Sequence, residues 1–451
     1  MTTLLAFGWT LLLGFLMVRA LGRDCGILPQ VCLGTGLGVG ALSCCFFLDL
    51  ETGVPSLLFE LLLLAVACGV CWKTGWRRRG GKVEEEASWA VWPLSGSLAV
   101  VLSAAVYGFF RQVSENPHGT WDAWAIWNLH ARFLASPYWR DLFSESIPWT
   151  HPDYPLLLPG FIARVWSVAG VRDLSTPAVV SFWFTFATIG LLGGAVAALK
   201  GRTQGLLAAL FLAATPAFIA QAASELADAP LSFFILATLA LLTLQDRAWP
   251  GQRGLSALAG ICAGMAAWTK NEGLLLVALI VPIRTVAVWR WHGGRAAGKQ
   301  AAWLAAGLTP VLALVLLFKL TLATSNANLG GRPGSALLSL LMDPHRWRVM
   351  VVQLVSGILR FGDLPVGVPL VLTSYVALVG LDRKSDTFSQ LTVLAALSLL
   401  LAGYCVVCVV SPYDVLWQTT TALGRLLLQL WPATVFLAFL AARRIAAGHA
   451  T

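Results

Sequence analysis

The residues best placed to do chemistry sit in short phrases, each beside an apolar run. The first runs from His118 to Phe133 and carries Trp121, Asp122, Trp124, Trp127, Asn128, His130 and Arg132. Read as an α-helix, it puts Trp124, Trp127 and Ala131 on one face, and Ile126, Leu129 and Phe133 on the opposite face with Asp122. A helix apolar on two faces, rich in Trp and too short and polar to span, belongs at a membrane interface. Asp122 falls in its first turn, where the helix dipole favours an ionised carboxylate. As a helix-start residue it needs no further role. As a carboxylate at the mouth of a membrane domain it is poised to accept a proton from a hydroxyl.

The second phrase, HPDYPLLLP over 151–159, has prolines dense enough to force an extended entry before a short helix. His151, Asp153 and Tyr154 then lie just outside the bilayer, either as a turn or as part of a site near Asp122. No spacing here marks a metal site. In the third phrase Glu225 and Asp228 are three apart and share a helical face, directly before Pro230, a helix-start signal. Two acids at the end of a span are costly unless solvated or functional. The fourth, Lys270-Asn271-Glu272-Gly273, is a charged hairpin. Its plain reading is a turn with a local ion pair; its functional reading gives Lys270 a phosphate to hold. Last comes Arg425, just before the final span, with no carboxylate near it in sequence. It suits a phosphate fork, or it snorkels from a helix end.

The elements that position these residues are membrane spans. Of the 451 residues 58% are hydrophobic and 12% charged, against about 25% charged in ordinary soluble proteins, which excludes disorder and a soluble domain. The net charge of +9 is not gathered into one patch, so nucleic-acid binding gives way to a positive-inside bias. The sequence predicts an all-α polytopic membrane protein of about 13 transmembrane helices, with amphipathic juxtamembrane helices in the first large external loop. The spans fall near 4–21, 27–48, 55–72, 89–110, 176–199, 204–222, 230–246, 254–269, 274–290, 300–322, 364–381, 389–410 and 427–442. The segment 154–170 is interrupted by Pro155, Pro159 and Arg164, and charge decides its fate. Lys73, Arg77, Arg78, Arg79 and Lys82 fix one loop as cytoplasmic, and every later basic loop agrees only if 154–170 does not cross. That places the N-terminus outside, the C-terminus inside, and all the phrases above on the outer side. No signal-peptide pattern marks the N-terminus, so the first span is expected to be retained.

Three units are expected: accessory spans over 1–88, a catalytic module over 89–290 with its external loop 111–175, and a C-terminal module over 291–451 with external loops 323–363 and 411–426. The loop 323–345, with Asn326, Asn328, Gly330, Gly331, Arg332 and Gly334, has the composition of a lid. Gly34, Gly36, Gly38 and Gly40 lie mid-span and fit close helix packing, not a phosphate loop. The pairs Cys68/Cys71 and Cys405/Cys408 have no second ligand pair and read as small helix residues.

Carboxylates and cations gathered at span ends on one side suit transfer from a lipid phosphate better than transport, which more often places such groups near the midplane. Here the phrases meet a family. Trp121-Asp122, WDAWAIWNLHARF over 121–133, HPDYPLLLP and Asp228-Ala-Pro230-Leu-Ser-Phe-Phe resemble, in that order, the GT-C class of membrane glycosyltransferases. The branch is that of protein O-mannosyltransferases and the lipid A aminoarabinose transferase, and the likeness covers roughly 89–290 with a weaker tail at Gly424-Arg425. It implies transfer from a polyprenyl-phosphate-sugar, usually inverting, by a hexosyl or pentosyl transferase. The acceptor would be a glycan, lipid or protein on the outer face of a bacterial inner (plasma) membrane. By the same resemblance Asp122 is the catalytic base and Asp228 the second-loop acid, with Glu225 beside it. Lys270 and Arg425 come from sidedness, without a motif, and His151, Tyr154 and Arg132 complete the donor-side candidates. The chain departs from the family in carrying one acid, Asp122, where mannosyltransferases have an Asp-Glu pair, and in lacking the Lys of the aminoarabinose branch in its proline phrase. Three spans also precede the first loop where relatives usually have one. A divalent cation enters only if Asp122, Glu225 and Asp228 converge. The competing expectation is a polyprenyl-lipid or polysaccharide transporter or flippase.

Overall fold

The computed structural model describes residues 2–22, 25–75, 90–326, 332–382 and 387–445, and among them every regular element is a helix. In chain order they are α1 (Thr2–Leu21), α2 (Ile27–Thr52), α3 (Ser56–Thr74) and α4 (Val91–Glu115), then a π-helical turn Ala123–Trp127 that runs into α5 (Asn128–Leu134). There follow α6 (Leu157–Ala169), α7 (Ser175–Lys200), α8 (Arg202–Ala213), α9 (Pro216–Ala223), α10 (Asp228–Arg247), α11 (Arg253–Thr269) and α12 (Asn271–His292). The remainder is α13 (Gly294–Thr321), α14 (Gly334–Leu341), α15 (Pro344–Arg360), α16 (Val368–Val379), α17 (Thr387–Val410) and α18 (Val415–Ala441). Ten helices are long and apolar enough to cross a membrane, or eleven counting α8 and α9 as one span. The protein is a polytopic all-α membrane protein.

Three expected spans take a different form. The segment expected over 204–222 bends by 61° between α8 and α9, where Pro216 starts the second piece. The one over 254–269 is the 17-residue α11, almost wholly buried. The one over 364–381 shortens to the 12-residue α16, because Phe361 to Gly367 breaks away from α15 with Gly362 and Asp363 at positive φ. Much of the expected external loop 323–363 is therefore helix α15. The basic residues 77–82, Arg383-Lys384, and Asn328, Gly330 and Gly331 of the expected lid lie outside the described residues.

Small residues let the core close. A Cβ on Gly14 of α1 would lie 1.8 Å from the Gly34 carbonyl oxygen of α2, and one on Gly38 would lie 2.2 Å from that of Thr10. The two backbones thus touch, as the glycine spacing predicts. Gly36 and Gly40, on the other side of α2, receive Phe233 of α10 and Met265 of α11.

Charges sort to the two ends of this bundle. At about 1.5 Å per residue, Asp228 and Asp246 are separated by most of the length of α10. Near Asp246 are Arg284, which binds it (Nη1 to Oδ2 2.8 Å), and Ser389. Lys200 meets Asp382 and the Ala442 carbonyl, both at 2.9 Å. The segment 154–170 forms a helix shorter than the roughly 20 residues of a typical span. Its helix α6 has 13 residues, and the chain leaving it returns to the first loop, where Arg172 donates to the Ala135 carbonyl at 2.6 Å. Glu60 of α3 holds Arg164 of α6 within the bundle through two parallel bonds of 3.0 and 2.8 Å.

Candidate active site

The first loop does not keep α-helical register. Ala123–Trp127 is a π turn, which adds about one residue per turn, so Trp124 and Trp127 do not share a face as the 100° reading predicts. Trp127 is fully buried and stacks on Tyr154 at 5.4 Å, whereas Trp124 is 49% exposed beside Trp121. The extra residue sits directly after Asp122 and turns its carboxylate toward the bundle, where it meets Arg425 of α18.

Arg425 joins the two acids that sequence placed 106 positions apart. Its Nη1 pairs with Asp122 and its Nε donates to Asp228 Oδ2 at 3.0 Å. Asp228 begins α10, so its carboxylate stands at the positive helix end. Its Oδ1 accepts from Lys270 Nζ at 3.0 Å and from Gln429 Nε2 at 2.6 Å. Lys270 also pairs with Glu272 at 3.0 Å. Burial opposes the Lys270 ammonium, but Asp228 and Glu272 outweigh it and hold its pKa above the ordinary lysine value. Asp228 and Lys270 are almost fully enclosed, while Asp122, Glu272 and Arg425 keep 22–28% of their side-chain surface open.

Glu272 and Arg425 face a cavity of about 410 Å³, and Asp122 is tied to it through Arg425. Its polar end is Asp228, Lys270, Glu272, Arg425 and Gln429, and its far wall is apolar, with Leu275 of α12, Val406 and Val407 of α17 and Leu426 of α18. Tyr154 and the buried Tyr404 also line it, and the Tyr404 hydroxyl has no hydrogen-bond partner among the described residues. Burial first, and then Glu272, push the Tyr154 phenol well above its usual value, leaving it a neutral donor. His151 stacks on Tyr154 at 4.6 Å and sits at φ 53°, a conformation that costs a non-glycine residue free energy. Burial lowers its pKa, against the pull of Asp153 and Asp122, so it too is neutral near pH 7. A polar bracket closes this side: Asp153 accepts from Asn271 at 2.7 Å and Asn326 at 2.8 Å, and Lys319 bonds both its carbonyl and Asn271.

Two candidates stand apart. Glu225, at φ 60°, accepts from Asn128 Nδ2 at 3.0 Å instead of joining the cluster. Arg132 lies over the Trp166 ring at 6.0 Å. The acids do not form a metal ligand set: Asp228 is occupied by Lys270, Arg425 and Gln429, Glu225 turns to Asn128, and among the described residues no three His, Cys, Asp or Glu converge. Sequence reasoning missed Gln429, Tyr404 and Lys319. Gln429 lies one helical turn after Arg425, and Lys319 and Tyr404 are lone polar groups in apolar runs, signals that ask for a partner.

Residues 99–326 match the model of the family described as dolichyl-phosphate-mannose-protein mannosyltransferase. That stretch, half of the chain, carries Asp122, His151, Tyr154, Glu225, Asp228 and Lys270 and stops short of Arg425. No curated protein and no solved structure matches the chain.

Proposed function

The chain belongs to the dolichyl-phosphate-mannose-protein mannosyltransferase family, and from that premise we propose that it moves a sugar to an acceptor hydroxyl on the outer face of the membrane, with Asp122 as general base. Membership makes it a membrane glycosyltransferase of the GT-C class that draws on a polyprenyl-phosphate-linked sugar. The observation that carries the rest is Arg425 bridging Asp122 and Asp228 at the mouth of a cavity with one polar end and one apolar wall.

In this reading the lipid chain lies along Leu275, Val406, Val407 and Leu426, and its phosphate sits at Lys270 and Arg425. Each cation has donors left: Arg425 uses only Nε and Nη1 among the described residues, and Lys270 uses its ammonium on two acids. The acceptor oxygen attacks the anomeric carbon while Asp122 takes its proton. The bond from that carbon to the phosphate oxygen breaks, and the electron pair leaves with the polyprenyl phosphate. As Asp122 becomes neutral its hold on Arg425 lapses, at the moment negative charge grows on the leaving phosphate. One guanidinium can therefore serve the base before the transfer and the leaving group during it. Asp228 keeps Arg425 and Lys270 in place, with Gln429 fixing its carboxylate. Tyr154 and His151, both neutral, supply hydrogen bonds at the rim. Glu225 acts from behind, through Asn128. The outer-face assignment rests on Lys200, Arg202, Arg284, Arg290, Arg443 and Arg444, which lie toward the opposite end.

The test is the chain reconstituted with polyprenyl-phosphate-mannose and assayed for release of polyprenyl phosphate. Asp122→Asn should slow release by about 10²–10⁴-fold, the worth of a general base, with donor binding kept. Normal turnover in that variant removes Asp122 from the chemistry.

A further inference from the structure

A second cavity of about 380 Å³ lies beside the first loop, lined by His118, Trp124, Asn128, Arg132 and Trp166. The turn between α9 and α10 separates the two. Asp228 faces the donor cavity, and Glu225, three residues earlier, binds Asn128 of the second. The first loop is pinned across this divide, since Thr120 N–H donates to the Ser224 carbonyl at 3.3 Å. Asp122, paired with Arg425 of the donor cavity, thus stands on the same short segment as Trp124 and Asn128 of the second.

The wall has chemistry to spare. Asn128 is only 7% exposed. Its Nδ2 donates to Glu225 Oε2 at 3.0 Å and to the His118 carbonyl at 3.3 Å, so its orientation is fixed and its Oδ1 is left as an acceptor. Among the described residues that Oδ1 is buried without a partner, as is Glu225 Oε1. Buried polar atoms in native proteins are ordinarily satisfied, so Asn128, on the wall of this cavity, has acceptor capacity to spare. Trp124 offers an open ring, 49% exposed, and Arg132, exposed over the Trp166 ring, offers a fork of donors.

We propose that this cavity is the acceptor subsite and that the acceptor is a saccharide, one ring packed on Trp124 with its hydroxyls bonded by Asn128 and Arg132. A sugar ring combines an apolar C–H face with hydroxyls at its edge, which matches an open indole beside a fixed amide and a guanidinium. An extended peptide is held through a free strand edge or similar row of unpaired backbone groups. Here the walls are the π turn, α5, α6 and the start of α7, with His118 and Leu174 from the adjoining turns, and no strand edge is among them. The inference rests on the transfer reading above, in which Asp122 serves an acceptor hydroxyl.

The test uses the full chain in detergent micelles and saturation-transfer NMR with two probe sets: short oligosaccharides cut from mannan, arabinan, galactan and dextran, and a Ser/Thr-rich hexapeptide. Ring protons of at least one oligosaccharide should saturate. Trp124→Ala and Arg132→Ala should each weaken that binding about tenfold or more, Trp124→Phe should keep it, and the peptide should give no Trp124-dependent signal. Saccharide binding indifferent to both alanine variants, binding of no saccharide, or Trp124-dependent binding of the peptide each overturns the proposal. Asp122→Asn separates this from the transfer reading, because it should slow turnover by about 10²–10⁴-fold and leave saccharide binding intact. Turnover that survives Asp122→Asn while Trp124-dependent saccharide binding persists condemns the base and spares the subsite.

Discussion

Two of the buried ionic centres in this molecule are built to opposite ends. Between α3 and α6, Glu60 and Arg164 face each other as a closed fork, and Trp9 Nε1 adds a third bond to Glu60 at 2.7 Å. Their side chains are 1% and 6% exposed, one charge meets one charge, and neither residue lines the donor cavity or the cavity beside Trp124. Around Asp228, by contrast, three acids share two cations, Asp228, Lys270 and Arg425 each hold more than one partner, and four of the five groups line a cavity. A closed pair can only hold helices together. A cluster with shared partners can lose one contact to a ligand without stranding a charge.

The comparison breaks most sharply on single removals. Arg164→Met leaves Glu60 buried with only Trp9, and should cost about 3–5 kcal/mol, seen as collapse of folded yield and of thermal stability in detergent. Adding Glu60→Gln, which is neutral and keeps an acceptor for Trp9, should recover most of it. If the single variant is as stable as the parent, the pair is not what seats α6. Asp228→Asn should behave the other way. Lys270 retains Glu272 and Arg425 retains Asp122, so stability should fall by no more than about 1–3 kcal/mol, while sugar transfer drops by about 10²–10³-fold. Equal losses of stability in the two variants would erase the distinction.

Arg425→Lys makes a smaller test of the open cluster. It keeps the charge and removes the fork, so the shorter ammonium could reach one acid or the phosphate but not span the three. We expect the KM for donor to rise about tenfold, a change of about 1.4 kcal/mol, with little change in melting temperature. An unchanged KM would mean that Arg425 serves the acids alone.

How much of this was legible depends on where the signal lay. Asp122, Asp228, Lys270 and Arg425 were found because polar residues at the ends of apolar runs are few, and the structure gathers all four. Their exchange of partners was not legible, since Arg425 meets Asp122 from 303 positions away, and no local pattern encodes a contact made by bundle packing. The face assignment of Trp124 and Trp127 failed for a local reason: a π turn changes the angular step, and the sequence has no proline or glycine at Ala123–Trp127 to announce it. The glycines of α2 were legible because close approach leaves room for nothing larger. The Glu60–Arg164 pair was visible as two charges inside apolar segments, but Arg164 read only as an interruption of 154–170.

Glu225 supplies a third case, a buried acid with no cation, and the smallest of these effects. Burial raises its pKa to about 7, opposed only by the Asn128 bond. A carboxyl whose folded pKa lies above its unfolded value keeps its proton in the folded chain after the unfolded chain has released it. Stability from this group therefore falls as pH rises from about 4.5 to about 7, and levels off above that. Glu225→Gln cannot titrate and keeps an acceptor for Asn128. Thermal unfolding in detergent should show the variant and parent alike near pH 4.5 and the variant more stable, by a few degrees, above pH 7. Asp228, with two cations beside it, has no such need of a proton, so an Asp228→Asn series over the same pH window should show no matching gain. If the two acids behave alike, cation partnership is not what separates a proton-holding carboxyl from an ionised one in this bundle.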